Sequence, residues 1–333
     1  MTLKKSSADV DTVLQREAEN LKQRLEGRLE ETLSGDHSDF SGFRERLSVT
    51  WGKPLGRLRS LTLMCQEILS ELIEEQRNGQ LPSDVKFNVL TRLFSRSVQL
   101  SGEIHNSLSG GYSEGGFSRW RAMHETCVML SLLGNADNSL SERFKDFQSV
   151  LGLRAAEFFN AHSKVTGEPP ISAEVMTELQ EAFDRAIQKH GSDFDRENGW
   201  AKVLLPDTKK ITFSKLEELS GYQSLRPQYK LASQYVHTGA DSLDNNMGLY
   251  LSRKNILLTG PSNEGLAQPL MFCGLSLVGS LSVIANEYPQ NQRDLFQATA
   301  WKWLESLYRE TLEALEDLAA TGPAAQNGEP EGD

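Results

Sequence analysis

Residues 109–133 read SGGYSEGGFSRWRAMHETCVMLSLL, and they show the organisation of the chain in miniature. A glycine-rich turn delivers the backbone into a segment, Phe117 to Leu133, that is apolar around most of its circumference. A helix of that kind is buried on all sides, so other helices must surround it. Its first two turns nevertheless carry Arg119, Arg121, His124 and Glu125. Residues 121, 124 and 125 share one face because they are three and four positions apart. Charged groups on so apolar a helix need partners, since an isolated buried ion is expensive.

Working outward, the same periodicity recurs. Leu58, Leu61, Ile68, Leu69 and Leu72 place an amphipathic helix over 58–77, stopped by Asn78-Gly79 and Pro82. A second covers 83–108, with Ser83 and Asp84 as capping residues. Helices follow at 140–164, 172–190, 213–219, 227–238, 269–286 and 292–320. N-terminally, residues 10–33 form a polar helix with one narrow stripe of Val13, Leu14, Leu21, Leu25 and Leu29. It is expected to end near Ser34-Gly35, before a loop over 35–42 and a linker around Gly52-Lys53-Pro54. The fold class is therefore all-α, an irregular bundle of about eight to ten helices with at most one or two incidental short strands. The organisation expected is a polar helix and loop over 1–50, a helical domain over 51–320, and a disordered acidic tail over 321–333.

Composition narrows the function classes. The 333 residues carry 46 acidic and 35 basic side chains, a net charge of −11 that excludes bulk coating of nucleic acid. The charge is uneven, because eight acids and one base lie between Glu305 and Asp333. The 304 residues before them carry only −4, so a small, focused phosphate site stays open. Cys65, Cys127 and Cys273 are far apart and odd in number, which fits reduced core thiols of a cytoplasmic protein. The apolar run 269–285 is interrupted by Gly274, Gly279 and several serines and flanked by acids, which fits a buried helix with a small-residue face rather than a membrane span. No histidine or cysteine set has metal-ligand spacing, and no cofactor is expected.

Two readings of the charged helix start remain open. Arg121 and Glu125 form a structural ion pair, or Arg119 and Arg121 join the N–H groups of a helix start as an anion site. A second constellation is Tyr229, Ser233 and His237, spaced four apart so that one helical face presents a phenol, a hydroxyl and an imidazole. His237 could act as a base or a proton donor, whereas Ser233 lacks the strained turn of a nucleophile. The alternative is a hydrogen-bonded set that satisfies Arg121 and Glu125 in the core.

Arg121-Ala-Met-His-Glu125, Gly199-Trp200-Ala201 and Tyr229-x-x-x-Ser233-x-x-x-His237, in this order, resemble the bacterial domain of unknown function family 5677 over about residues 85–290. The resemblance implies an α-helical domain without an established activity. It marks Arg121, Glu125, Trp200, Tyr229, Ser233 and His237 as functional or fold-defining. A looser likeness is to the HEPN helical superfamily, many of whose members are RNases of defence and toxin systems with an Arg-x4-6-His motif. Arg119-Trp-Arg-Ala-Met-His124 has that spacing, although Trp120 stands where the superfamily usually has a polar residue. The likeness implies a metal-independent endoribonuclease in which His124 or His237 moves a proton and arginine stabilises the phosphorane. RNA or a phosphate-bearing small molecule would be the partner, and a homodimer the assembly. The competing expectation is a non-catalytic interaction module whose polar cluster is a core network.

Overall fold

The computed structural model describes residues 7–237, 246–249 and 257–320. Ten α-helices are present among them: α1 Ser7–Glu26, α2 Leu29–Arg77, α3 Val85–Ser109, α4 Ser113–Gly134, α5 Asn138–Thr166, α6 Ala173–His190, α7 Phe213–Ser220, α8 Arg226–Gln234, α9 Ala267–Glu287 and α10 Asn291–Ala320. No strand occurs among the described residues, so the all-α reading holds. The acidic tail over 321–333 and the last residue of the helix expected over 227–238 lie outside the described residues.

Two compact units divide the chain, residues 1–50 and 51–333. In the first, Leu14, Leu21, Leu25, Leu29 and Leu33 are exposed, so the apolar stripe is on the surface. The polar helix expected over 10–33 is broken earlier, at Gly27-Arg28. The loop expected over 35–42 and the linker at 52–54 are both helical, because α2 runs unbroken through Gly35, Gly42 and Pro54. Around Pro54 packing outweighs local propensity, since Trp51, Leu58 and Leu61 are fully buried on either side of the proline, whereas residues 35–42 are helical although mostly exposed.

In the second unit α4 is the central element, packed against α3, α9, α7 and α8. Its Phe117, Trp120, Met123, Val128 and Leu130 are wholly buried, as a helix apolar on all faces requires. Asp84 caps α3 by accepting from the Phe87 N–H at 2.8 Å, and Ser172 caps α6 through the Val175 N–H. Helix α9 lies against α3, α4 and α10 with its small residues inward. Ser276 accepts from the Trp120 indole at 3.0 Å, and Ser280 pairs with Cys127 Sγ at 3.1 Å and Ser97 at 3.2 Å. These contacts satisfy polar groups deep in the core and explain a helix that is both apolar and serine-rich. All three cysteines are buried and unpaired with one another, and burial pushes the Cys127 thiol up to about 11.

Candidate functional site

Two short helices converge on one face of α4. Helices α7 and α8 both pack on it, and α8 presents Tyr229 where α4 presents Arg121 and Glu125. The Arg121 Nη2 donates to the Tyr229 hydroxyl at 2.9 Å, and that hydroxyl donates to Glu125 Oε1 at 2.6 Å. Arg121 and Glu125 also meet directly at 3.1 Å, closing a three-membered ring of contacts. Burial first, then the bond to Glu125, raises the Tyr229 phenol to about 12, while Arg121 opposes the shift. The phenol is therefore a donor throughout the neutral range.

A second layer continues from the same tyrosine. The Arg226 guanidinium lies 5.3 Å from the Tyr229 ring centroid and the Arg121 guanidinium 5.0 Å from it. Arg226 donates to Glu217 Oε2, and the other oxygen of Glu217 meets His124 Nε2 at 2.8 Å. Glu217 and His124 are almost completely buried, with side-chain exposures of 1% and 0%. The imidazole is ringed by Trp120, Phe213, Tyr222 and Tyr229, with centroids 5.3–6.1 Å away. Burial holds its pKa below the usual histidine value despite the pull of Glu217. Neutral His124 thus donates from Nε2 to the carboxylate, and its buried Nδ1 has no hydrogen-bond partner. Arg121 Nε is likewise buried without one.

The remaining expected residues sit elsewhere. Arg119 turns away from this face and pairs with Glu103 on α3. Arg119 and His124 are five residues apart on one helix, which points them to different neighbours, α3 for one and α7 for the other. Ser233 hydrogen-bonds back to the Tyr229 carbonyl at 2.8 Å, so its hydroxyl is tied to its own helix. Helix α8 ends at Gln234, and His237 follows in an exposed turn anchored by its backbone N–H on Ser233 O at 3.2 Å. Trp200 is buried in a 3-10 turn, Gly199–Leu204, against the Phe144 ring at 4.9 Å. Its carbonyl accepts from Arg143 Nε at 3.1 Å. That corner holds its own polar set, in which Asp146 accepts from His190 at 2.8 Å and Lys189 at 2.9 Å. Burial works against the Asp146 carboxylate, yet these two donors outweigh it and hold its pKa below the usual range.

Glu217 and Arg226 were not singled out in the sequence. Glu217 stands beside Leu216 on the buried face of a short helix, and Arg226 precedes Pro227 at a helix start, positions that look like solvated surface in one dimension. Among the described residues no group of three or more histidine, cysteine, aspartate or glutamate side chains is placed to hold a metal ion.

A family model described as a family of unknown function (DUF5677) matches residues 87–254, half of the chain. No curated protein and no solved structure matches it. The matched span runs from α3 past α8, so it contains every member of the Arg121, Glu125, Tyr229, Glu217 and Arg226 network, the Trp200 corner and His237. The chain belongs to the DUF5677 family of unknown function.

Proposed function

We propose that this helical domain binds a phosphate-bearing ligand, single-stranded RNA in the first instance, across the face made by Arg121, Tyr229 and Arg226. The observation that carries the reading is that two guanidinium groups lie against one phenol ring, with 28% and 31% of their side chains exposed. Guanidinium groups held in this way present a fork of donors suited to phosphate oxygens, with little side-chain entropy left to lose. The finer form of the reading is metal-independent RNA cleavage in a defence or toxin setting, in the cytoplasm, with a second copy of the chain as companion. In that chemistry the 2′-oxygen attacks phosphorus and the bond to the 5′-oxygen breaks, leaving a cyclic phosphate and a 5′-hydroxyl. His237, exposed beyond α8, is the imidazole with access to solvent, whereas His124 is enclosed.

A second reading is favoured by the buried His124–Glu217 pair and its half-buried partner Arg226, which together bridge α4 to α7 and α8. Under it the cluster fixes those helices and does nothing more.

The two are separated by measuring RNA affinity and melting temperature together. Arg121→Gln is expected to weaken binding of a short RNA about tenfold, the scale of one charge-assisted hydrogen bond. Two phosphate contacts on a single strand predict a slope of log K against log salt of about −1.4. Tyr229→Phe, which keeps the ring but removes the hydroxyl between Arg121 and Glu125, should lower stability by about 1–2 kcal/mol. Absence of RNA binding by the unaltered protein, with a collapse in melting temperature for Arg121→Gln, would leave only the structural reading. Cleavage in the presence of a chelator, retained by His124→Gln and lost in His237→Ala, would support the finer form.

A further inference from the structure

The Trp200 corner contains a cleft that the Arg121 face does not use. Two loops form it, residues 193–199 and 202–211, and they enclose about 350 Å³. That is enough for a small molecule and too little for a folded partner. Its construction is specific. Asn198 has a left-handed φ of 56°, and its side-chain amide crosses to donate to the Ile211 carbonyl at 2.9 Å. Lys202 Nζ donates to the Thr208 carbonyl at 3.0 Å within the second loop and reaches Asp193 of the first at 3.6 Å, a second tie between the two. Gly199 sits so close to the preceding turn that a Cβ there would fall 2.2 Å from the Phe194 carbonyl oxygen. The floor is locked from behind, since Arg143 donates to the carbonyls of both Gly199 and Trp200. The cleft is thus preformed, and a ligand entering it need not order the loops.

Its lining is cationic. Arg196, Lys202, Lys209 and Lys210 face two carboxylates, Asp193 and Glu197. Asp193 is shared by Arg196 at 3.0 Å and Lys202 at 3.6 Å, and Glu197 takes Lys210 at 3.3 Å. Exposed Lys209 has no carboxylate partner among the described residues. Formal charge in the cleft is therefore about +2 near neutral pH, concentrated within less than a Debye length. Cations clustered at a concave wall focus the potential and favour a multiply charged anion. Ile211, Gly199 and the lysine stems supply an apolar wall for an uncharged portion.

We propose that this cleft is a second ligand site, separate from the Arg121 face, that takes a phosphorylated small molecule of mononucleotide size, its phosphate held by Lys202, Lys209 and Lys210. The proposal does not depend on the RNA reading. It is tested by calorimetric titration of the full chain with adenosine 5′-monophosphate, and by competition with inorganic phosphate. One mole should bind per mole of chain, and excess phosphate should displace it. Lys209→Glu combined with Lys210→Glu should weaken binding at least about tenfold, since two attractions become repulsions. Both lysines are exposed, so an unchanged melting temperature is expected and certifies the fold. Arg121→Gln should leave mononucleotide binding as it was. No binding by the unaltered protein, or binding indifferent to the lysine reversals, overturns the proposal. Loss of binding in Arg121→Gln alone would place the nucleotide on the first face and also overturn it. Failure of excess phosphate to compete would overturn it too, because the phosphate would then not be what the lysines hold.

Discussion

At the scale of single residues, His124 shows how burial changes what a side chain can do. In the sequence it completes an Arg-x4-His spacing with Arg119; in the folded chain those two side chains point to different helices and His124 is wholly enclosed. Its pKa lies below the ordinary histidine value because burial outweighs Glu217. The unfolded chain therefore binds a proton that the folded chain resists as pH drops through about 6.5, so stability falls toward acid. Melting temperature should decline between about pH 7 and pH 5, and His124→Gln, which keeps an N–H for Glu217 without titrating, should flatten that decline. An equally steep decline in the variant would assign the acid sensitivity to other groups. The Arg121–Glu125 spacing of four was legible as an ion pair from the sequence. That Tyr229 would insert its hydroxyl between them was not, because 104 residues separate Tyr229 from Glu125 and only packing of α8 on α4 joins them.

At the scale of elements, α9 is the case where composition and packing agree. Its glycines and serines form the contact face their spacing predicts, Ser276 and Ser280 against α4 and Gly274 against α10. A Cβ on Gly274 would fall 2.4 Å from Leu307 Cδ2 and 3.1 Å from Leu304 Cδ1 of α10. Gly274→Val should therefore force α9 and α10 apart and cost about 1–3 kcal/mol of stability, read as a lower urea midpoint. Gly274→Ala should cost less, because the end of Leu307 can swing aside. A valine variant as stable as the parent would show that α9 and α10 do not pack this closely. Helix α2 is the opposite case. Gly35, Gly42, Gly52 and Pro54 read as loop and linker, yet one helix spans them. Proline carries a local bias of about 3 kcal/mol against helix, and burial of Trp51, Leu55 and Leu58 around Pro54 exceeds it, while Gly35 and Gly42 stay helical in a mostly exposed stretch without such burial.

For the whole molecule, the apolar run 269–285 poses the largest choice. Helix α9 is long and apolar enough to cross a membrane, with a mean hydropathy of 1.6 in its best window, but 61% of that window is already buried within the protein. Apolar surface used in packing is not available to lipid. The purified chain is expected to stay in the supernatant after high-speed centrifugation without detergent, and sedimentation with lipid vesicles would contradict this. Charge belongs to the same scale. The residues before Glu305 carry only −4, and the Arg121 face is itself balanced, two arginines against Glu125 and Glu217. Any anion bound there would be held by directed donors rather than by net field, whereas the lining of the Lys209 cleft has a formal excess of basic side chains.

Helical periodicity, core thiols and the polar faces of α4 and α8 could be read directly, because they depend on spacings of three and four residues along one chain segment. Which of those faces meet could not. Tertiary packing turned Arg119 toward Glu103, brought Glu217 and Arg226 to His124 and Tyr229, left His237 outside the helix that was to carry it, and folded the Gly199 turn into a basic cleft. Contacts between distant segments arise from burial and shape complementarity among elements, and neither is encoded in the period of any one of them.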